Sequence, residues 1–225
     1  MTGTPSTPAD ASPGAAVVVR PYANPLPLGF FSFGIGMALL AGIGLGAITG
    51  EQVRTAGVLL VLFVFPLEFL AAVMAFLTRD TAAAAALGLF ATSWAGLGAL
   101  HVVAPWEQTS SAEGVYLAAF GLMLLPLAAT AFLGKRLLGI VLTVSTVRAG
   151  LAAAYQLGAP PAWQLADAAA ALLLVALALY AGTAFLLEDL RGRTVLPTLR
   201  RGEARRVIGE GSGGGAPEPG VRGQL

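Results

Sequence analysis

The chain alternates between long apolar runs and short polar breaks. Six runs stand out, roughly Leu28–Thr49, Ala56–Phe76, Thr81–Val103, Val115–Phe132, Leu137–Leu157 and Trp163–Leu187. A helix that crosses a bilayer needs about 20 mostly apolar residues, and these runs fall in that range. The breaks read "GEQVRT", "TRD", "APWEQTSSAEG", "GKR" and "GAPPA". They place Gly, Pro and charge where helices stop. The pattern predicts an all-α, polytopic membrane protein with six transmembrane helices. The expected domains are a disordered tail over 1–22, the six-helix membrane domain over 23–190, and a basic, Gly/Pro-rich tail over 191–225. Both tails lack the apolar content that a packed core needs. Met1 to Val19 has no basic n-region and "AAVVV" is short for an h-region, so no secretory signal is expected.

Composition sharpens the class. Hydrophobic residues make up 56% of the chain and charged ones 11%, against roughly 25% charged in an average soluble domain. Mean hydropathy is +0.79. A water-soluble chain of this length has nowhere to hide so much apolar surface. Cysteine is absent and His101 is the single histidine. That excludes disulfides, thiolate or histidine metal clusters and cysteine nucleophiles, so no metal or cofactor is expected. No Walker, HExxH or GxSxG motif is present, so no enzyme chemistry is expected. A net charge of +1 gives no ground for nucleic-acid binding.

The basic residues are unevenly shared. Arg20, Arg79, Lys135, Arg136 and the tail arginines from Arg191 onward, eleven in all, fall on one side, and Arg54 alone on the other. Positive charge stays on the cytoplasmic side. Both termini are therefore expected in the cytoplasm, in a chain that crosses the cell membrane an even number of times. The tail arginines can also meet anionic lipid.

The runs are rich in small residues. Gly42, Gly46 and Gly50 form a GxxxGxxxG pattern, and Gly88, Thr92 and Gly96 a similar face. Such faces let helices approach closely in lipid, within one subunit or between subunits.

Two charges sit mid-run: Glu68 in "FPLEFL" and Arg148 in "STVRAG". A charge at the bilayer centre costs about 2.5–3.5 kcal/mol on insertion scales, so each is a functional candidate. At similar depth the two are candidates to pair. In a structural reading they lock two helices together. In a functional one Arg148 takes a substrate carboxylate and Glu68 carries a proton. His101 lies at a run's end, as an interfacial residue or a pH sensor. Trp106, Trp163 and Tyr155 fit an aromatic belt. Asp167, one turn into the last run, suits a helix N-terminus and is given no transport role.

Two motifs carry a family resemblance. "NPLPLG" (Asn24 to Gly29) resembles the NPAPLG motif of the acetate uptake transporters, also called succinate–acetate permeases, and is followed by "FFSFGIGM". Gly192 to Pro197, "GRTVLP", resembles their closing signature, which includes Arg193 and Thr194. "GVYLAAFG" (Gly114 to Gly121) and "TSW" (Thr92 to Trp94) resemble inner parts of the same family. The resemblance implies a homo-hexamer whose subunits each hold a narrow path for acetate or a related small monocarboxylate, commonly with a proton. It places Asn24, Pro25, Pro27 and Gly29 at the path's entrance, and a constriction at Phe33, Phe90 and Ser145. A ring of apolar side chains gates by dewetting.

Departures from the family pattern are visible. Ser145 stands where the family has leucine, Phe90 where it has tyrosine, Glu68 where it has glutamine and Phe185 where it has glutamate. The first run also loses the family's Thr pair. Besides a carboxylate transporter, a passive channel for a small neutral solute (urea, ammonia or undissociated acid) and a non-transporting membrane assembly or signalling protein stay open.

Overall fold

The computed structural model describes residues 23–105, 109–191 and 193–199. The tail over 1–22, Trp106, Gly192 and the tail from 200 onward lie outside the described residues.

Every regular element among those residues is helical: α1 (Leu26–Gly44), α2 (Glu51–Leu59), a π-helical turn (Leu60–Val64), α3 (Phe65–Leu77), α4 (Thr81–Val103), α5 (Ser111–Gly134), α6 (Arg136–Gln156) and α7 (Pro161–Arg191). The segments from Glu51 to Leu77 join into one rod of 27 residues, so six helices are long and apolar enough to cross a membrane. The third keeps the bounds expected from the sequence.

Local chemistry sets the ends. Pro25 and Pro27 open α1, where the missing N–H groups are spared, and Asn24 Oδ1 accepts the N–H of Leu26 at 3.1 Å. Asp80 caps α4 by accepting from Ala83 N. Ser110 caps α5 by accepting from Glu113 N at 3.5 Å, in a Ser-x-x-Glu arrangement. Pro66 cannot donate to the preceding turn, and the π-helical turn lies directly before α3. An extra residue per turn is a common way for a helix to absorb such a fault.

The GxxxGxxxG run is corrected. The first helix stops at Gly44, not near Thr49, and Gly46 and Gly50 sit in the following turn at φ of +73° and +58°. Those angles are left-handed and favour glycine. Ala47 N and Ile48 N both donate to Gly42 O, at 2.9 and 3.0 Å, folding the chain back over the helix end. Gly46 and Gly50 therefore belong to a turn, and only Gly42 stays on the helix.

α5 packs on α6, α6 on α7, α7 on α1, α1 on α3, and α3 and α2 on α4. The surface is inverted relative to a soluble protein. Leu62, Val103 and Leu133 are 72%, 80% and 81% exposed, while Glu68 and Arg148 are 0% and 8% exposed. Only a lipid surround makes that pattern favourable.

One close backbone crossing was not revealed by the sequence patterns. A Cβ built on Gly57 would lie 2.6 Å from Gly98 O, and one on Gly98 would lie 2.8 Å from Gly57 O. Here α2 and α4 touch through bare backbone. The Gly88–Thr92–Gly96 face differs: Thr92 is exposed, and a Cβ on either glycine meets nothing within 4 Å. Gly98→Val is expected to cost about 1–3 kcal/mol through overpacking, and Gly96→Val much less. Thermal unfolding of the two variants in detergent checks the difference.

Candidate functional site

The centre of the bundle is aromatic. Phe33 on α1 meets Phe90 on α4 edge-on, with ring centroids 4.9 Å apart. Phe90 in turn meets Phe120 on α5 at 5.3 Å, and Phe33 meets Trp94 at 6.0 Å. Phe90, Ser93, Trp94 and Leu97 follow helical spacing, so α4 turns one continuous face inward. Leu117 and Phe120 do the same from α5, and Ser145, Arg148 and Ala149 from α6; Met37 reaches in from α1.

These side chains enclose a cavity of about 10 Å³ for the centre of a guest, roughly one water molecule. Two of the three constriction candidates, Phe90 and Ser145, line it, and Phe33 packs edge-on against Phe90. Its wall is apolar except for Ser93, Ser145, the Trp94 indole and Arg148. The Ser145 hydroxyl is buried with no hydrogen-bond partner.

The two central charges do not pair with each other, which corrects the pairing considered from the sequence. Arg148 pairs with Asp167 on α7: Nε lies 3.0 Å from Oδ1, and Nη2 donates to Oδ2 at 3.4 Å. The Nε–Oδ1 contact is charge-to-charge without hydrogen-bond alignment. Glu68 lies on α3 and accepts a hydrogen bond from Trp94 Nε1 through Oε2, while Oε1 is buried without a partner. The reason is topological. α6 packs between α5 and α7, whereas α3 packs on α1 and α4. Glu68 is thus set behind Trp94, and Trp94 is the wall between it and the cavity.

Asp167 is the residue that sequence reasoning passed over. α6 and α7 form an antiparallel hairpin around "GAPPA". Arg148 stands about 12 Å before the end of α6 and Asp167 about 9 Å after the start of α7, at the helical rise per residue. Similar distance from a shared turn was the available signal.

The remaining candidates have structural surroundings. Pro25, Pro27 and Gly29 are buried in the first turn of α1, and a Cβ on Gly29 would run into Leu87 at 2.5 Å. Asn24 is half-buried and spends its side-chain oxygen on the helix cap. Arg193 and Thr194 are exposed. Tyr180 OH donates to Pro197 O at 2.9 Å, and Thr198 Oγ1 donates to the buried Glu188 at 3.0 Å. The closing segment therefore folds back along α7. Phe185 stacks on Phe30 at 5.7 Å as core packing. His101 is half-buried on α4, on the side where α2 crosses. Trp163 is 43% exposed near the start of α7, as an aromatic belt requires.

A family model described as GPR1/FUN34/yaaH matches residues 8–200. The chain belongs to the GPR1/FUN34/yaaH family. Among solved structures, a bacterial protein described as the acetate channel SatP is similar to this family member. The identity is 26% and the TM-score 0.69, over 79% of this chain and 99% of that one. No curated protein matches the chain. As a GPR1/FUN34/yaaH protein with six apolar spans, it is a multi-pass membrane protein of a transport family.

Proposed function

We propose that this chain moves acetate or a related small monocarboxylate across the cell membrane, together with a proton, through a narrow path in each subunit. The observation that carries the proposal is Arg148, a cation held at the wall of an otherwise apolar cavity beside an unpartnered hydroxyl. A guanidinium is suited to a carboxylate. The similar acetate channel supports the same cargo. Phe33 and Phe90 form the constriction, with Ser145 as its polar side, and water-sized dimensions keep hydrated ions out. Glu68 is the proton site, reached past Trp94.

The subunit assembles as a homo-hexamer. On the open Gly88–Thr92–Gly96 face of α4 a Cβ at either glycine meets nothing within 4 Å among the described residues, which supports helix packing between copies. Native mass spectrometry in detergent should read six copies. Both termini face the cytoplasm, a placement that the distribution of basic residues supports.

Uptake of labelled acetate into proteoliposomes under an inward proton gradient tests the transport reading. Uptake above that of empty liposomes supports it. No uptake of any short-chain acid rejects it. One observation favours a second reading, passage of a neutral solute: Asp167 already neutralises Arg148. A flux indifferent to proton gradient and membrane potential would select that reading.

A further inference from the structure

The geometry points to Asp167 as the residue that aims Arg148 at a carboxylate and limits how tightly that carboxylate is held; this rests on the transport reading above. A guanidinium carries five N–H donors in a rigid fork. Asp167 takes the edge made by Nε and Nη2, at 3.0 and 3.4 Å. The opposite edge, Nη1 with the outer N–H of Nη2, is left for a second carboxylate. Arg148 lines the cavity, whereas Asp167 stands behind it. With the rear edge fixed, the front edge is held in one orientation.

Ser145 supplies the independent observation. It precedes Arg148 by one helical turn, lines the same cavity, is 3% exposed, and its hydroxyl has no hydrogen-bond partner. An unmet buried hydroxyl costs about 1–3 kcal/mol, which a guest oxygen removes. Ser93 adds a second hydroxyl on the facing helix. Phe90, Leu97, Leu117 and Phe120 complete an apolar cup. The lining chemistry therefore suits a carboxylate head on Arg148 and Ser145 with a one- or two-carbon tail against the rings, and because the cavity as it stands holds about one water molecule, the rings must part to admit it.

Asp167 also sets the electrostatics of release. An unpaired buried guanidinium would bind an anion as its sole counter-charge and hold it. With Asp167 in place the guanidinium is shared, so the occupied site carries a net negative charge. Glu113, at the start of α5, adds a second acid within electrostatic reach of both partners. Conduction requires binding strong enough for the guest to enter and weak enough for it to leave. Asp167 moves the balance towards leaving.

The test is acetate uptake by proteoliposomes containing the full chain, with half-saturating concentration and maximal rate measured separately. Asp167→Asn is expected to lower the half-saturating concentration about tenfold, the worth of one charge-assisted hydrogen bond, and to lower the maximal rate as exit slows. Asp167→Glu should move both back towards the parent values. A lower rate with unchanged half-saturation, or no change in either, overturns the inference and leaves the transport reading standing. Should Asp167→Asn not yield folded protein, Ser145→Ala is read instead. A several-fold rise in half-saturation supports the site, and an unchanged value overturns it. If the parent protein takes up no acetate, the transport reading fails by itself. Calorimetric titration with acetate then decides: tighter binding by Asp167→Asn supports the site, and equal or absent binding overturns it.

Discussion

Arg148→Ala is expected to lower acetate uptake more than about a hundredfold, the combined worth of two charge-assisted hydrogen bonds. The single variant also strands Asp167, which is buried against the guanidinium. Removing one partner of a buried pair costs about 3–5 kcal/mol, so the protein should be less stable as well as inactive. The two effects separate in the double variant Arg148→Ala, Asp167→Ala. It removes both charges, and its melting temperature in detergent should return towards the parent value. Uptake should not return, because the carboxylate has lost its cation. Normal uptake by either variant would remove Arg148 from the path.

Glu68→Gln is expected to uncouple uptake from the proton gradient while changing the half-saturating acetate concentration less than about twofold, since Gln matches Glu in size and leaves the anion contact alone. The amide oxygen can still accept from Trp94 Nε1, so the fold is preserved. Among the described residues of α1, α3 and α4 around it, Glu68 is the acid nearest the Trp94 indole. α1 has no ionisable side chain between Leu26 and Gly44, and α3 has none besides Glu68. Along α4 only His101 ionises, seven positions beyond Trp94, with Asp80 at the far cap. A carboxylate with a single N–H and no cation in reach is costly to keep charged. Uptake measured across a series of external pH values, with and without a gradient, checks this. An unchanged pH profile in Glu68→Gln would place the proton elsewhere.

The six spans were legible because bilayer thickness imposes a length that no loop imitates, and the short breaks name their own ends. Thr81–Val103 has a capping Asp before it and an Ala-Pro after it, and its bounds were read without error. The turn after Gly44 was not legible from spacing. GxxxG looks alike whether its glycines supply a flat helix face or a left-handed turn. The two differ only in φ, which depends on where the chain must go next. The site was legible in part. Phe33, Phe90 and Ser145 were named from a resemblance, and the structure brings all three to the cavity or its immediate wall. Glu68 was a candidate partner for Arg148 because depth was judged span by span. Pairing depends on which helices adjoin, and the antiparallel hairpin of α6 and α7 puts Asp167 opposite Arg148. Gly57 and Gly98 escaped notice for the same reason: neither has a glycine four residues away in its own helix, and their meaning lies in the crossing.

The π-helical turn at Leu60–Val64 divides one membrane rod into two pieces whose phases differ by a fixed offset. On the upstream piece, Gly57 must face Gly98. On the downstream piece, Glu68 must face Trp94. In an unbroken α-helix each residue turns the chain by about 100°, so meeting one demand would fix the other. The wider turn resets that relation by a fixed offset, so the facing of Gly57 and the facing of Glu68 are set together by where it sits. Moving or removing it would swing the acid relative to the crossing, and the indole would lose its partner.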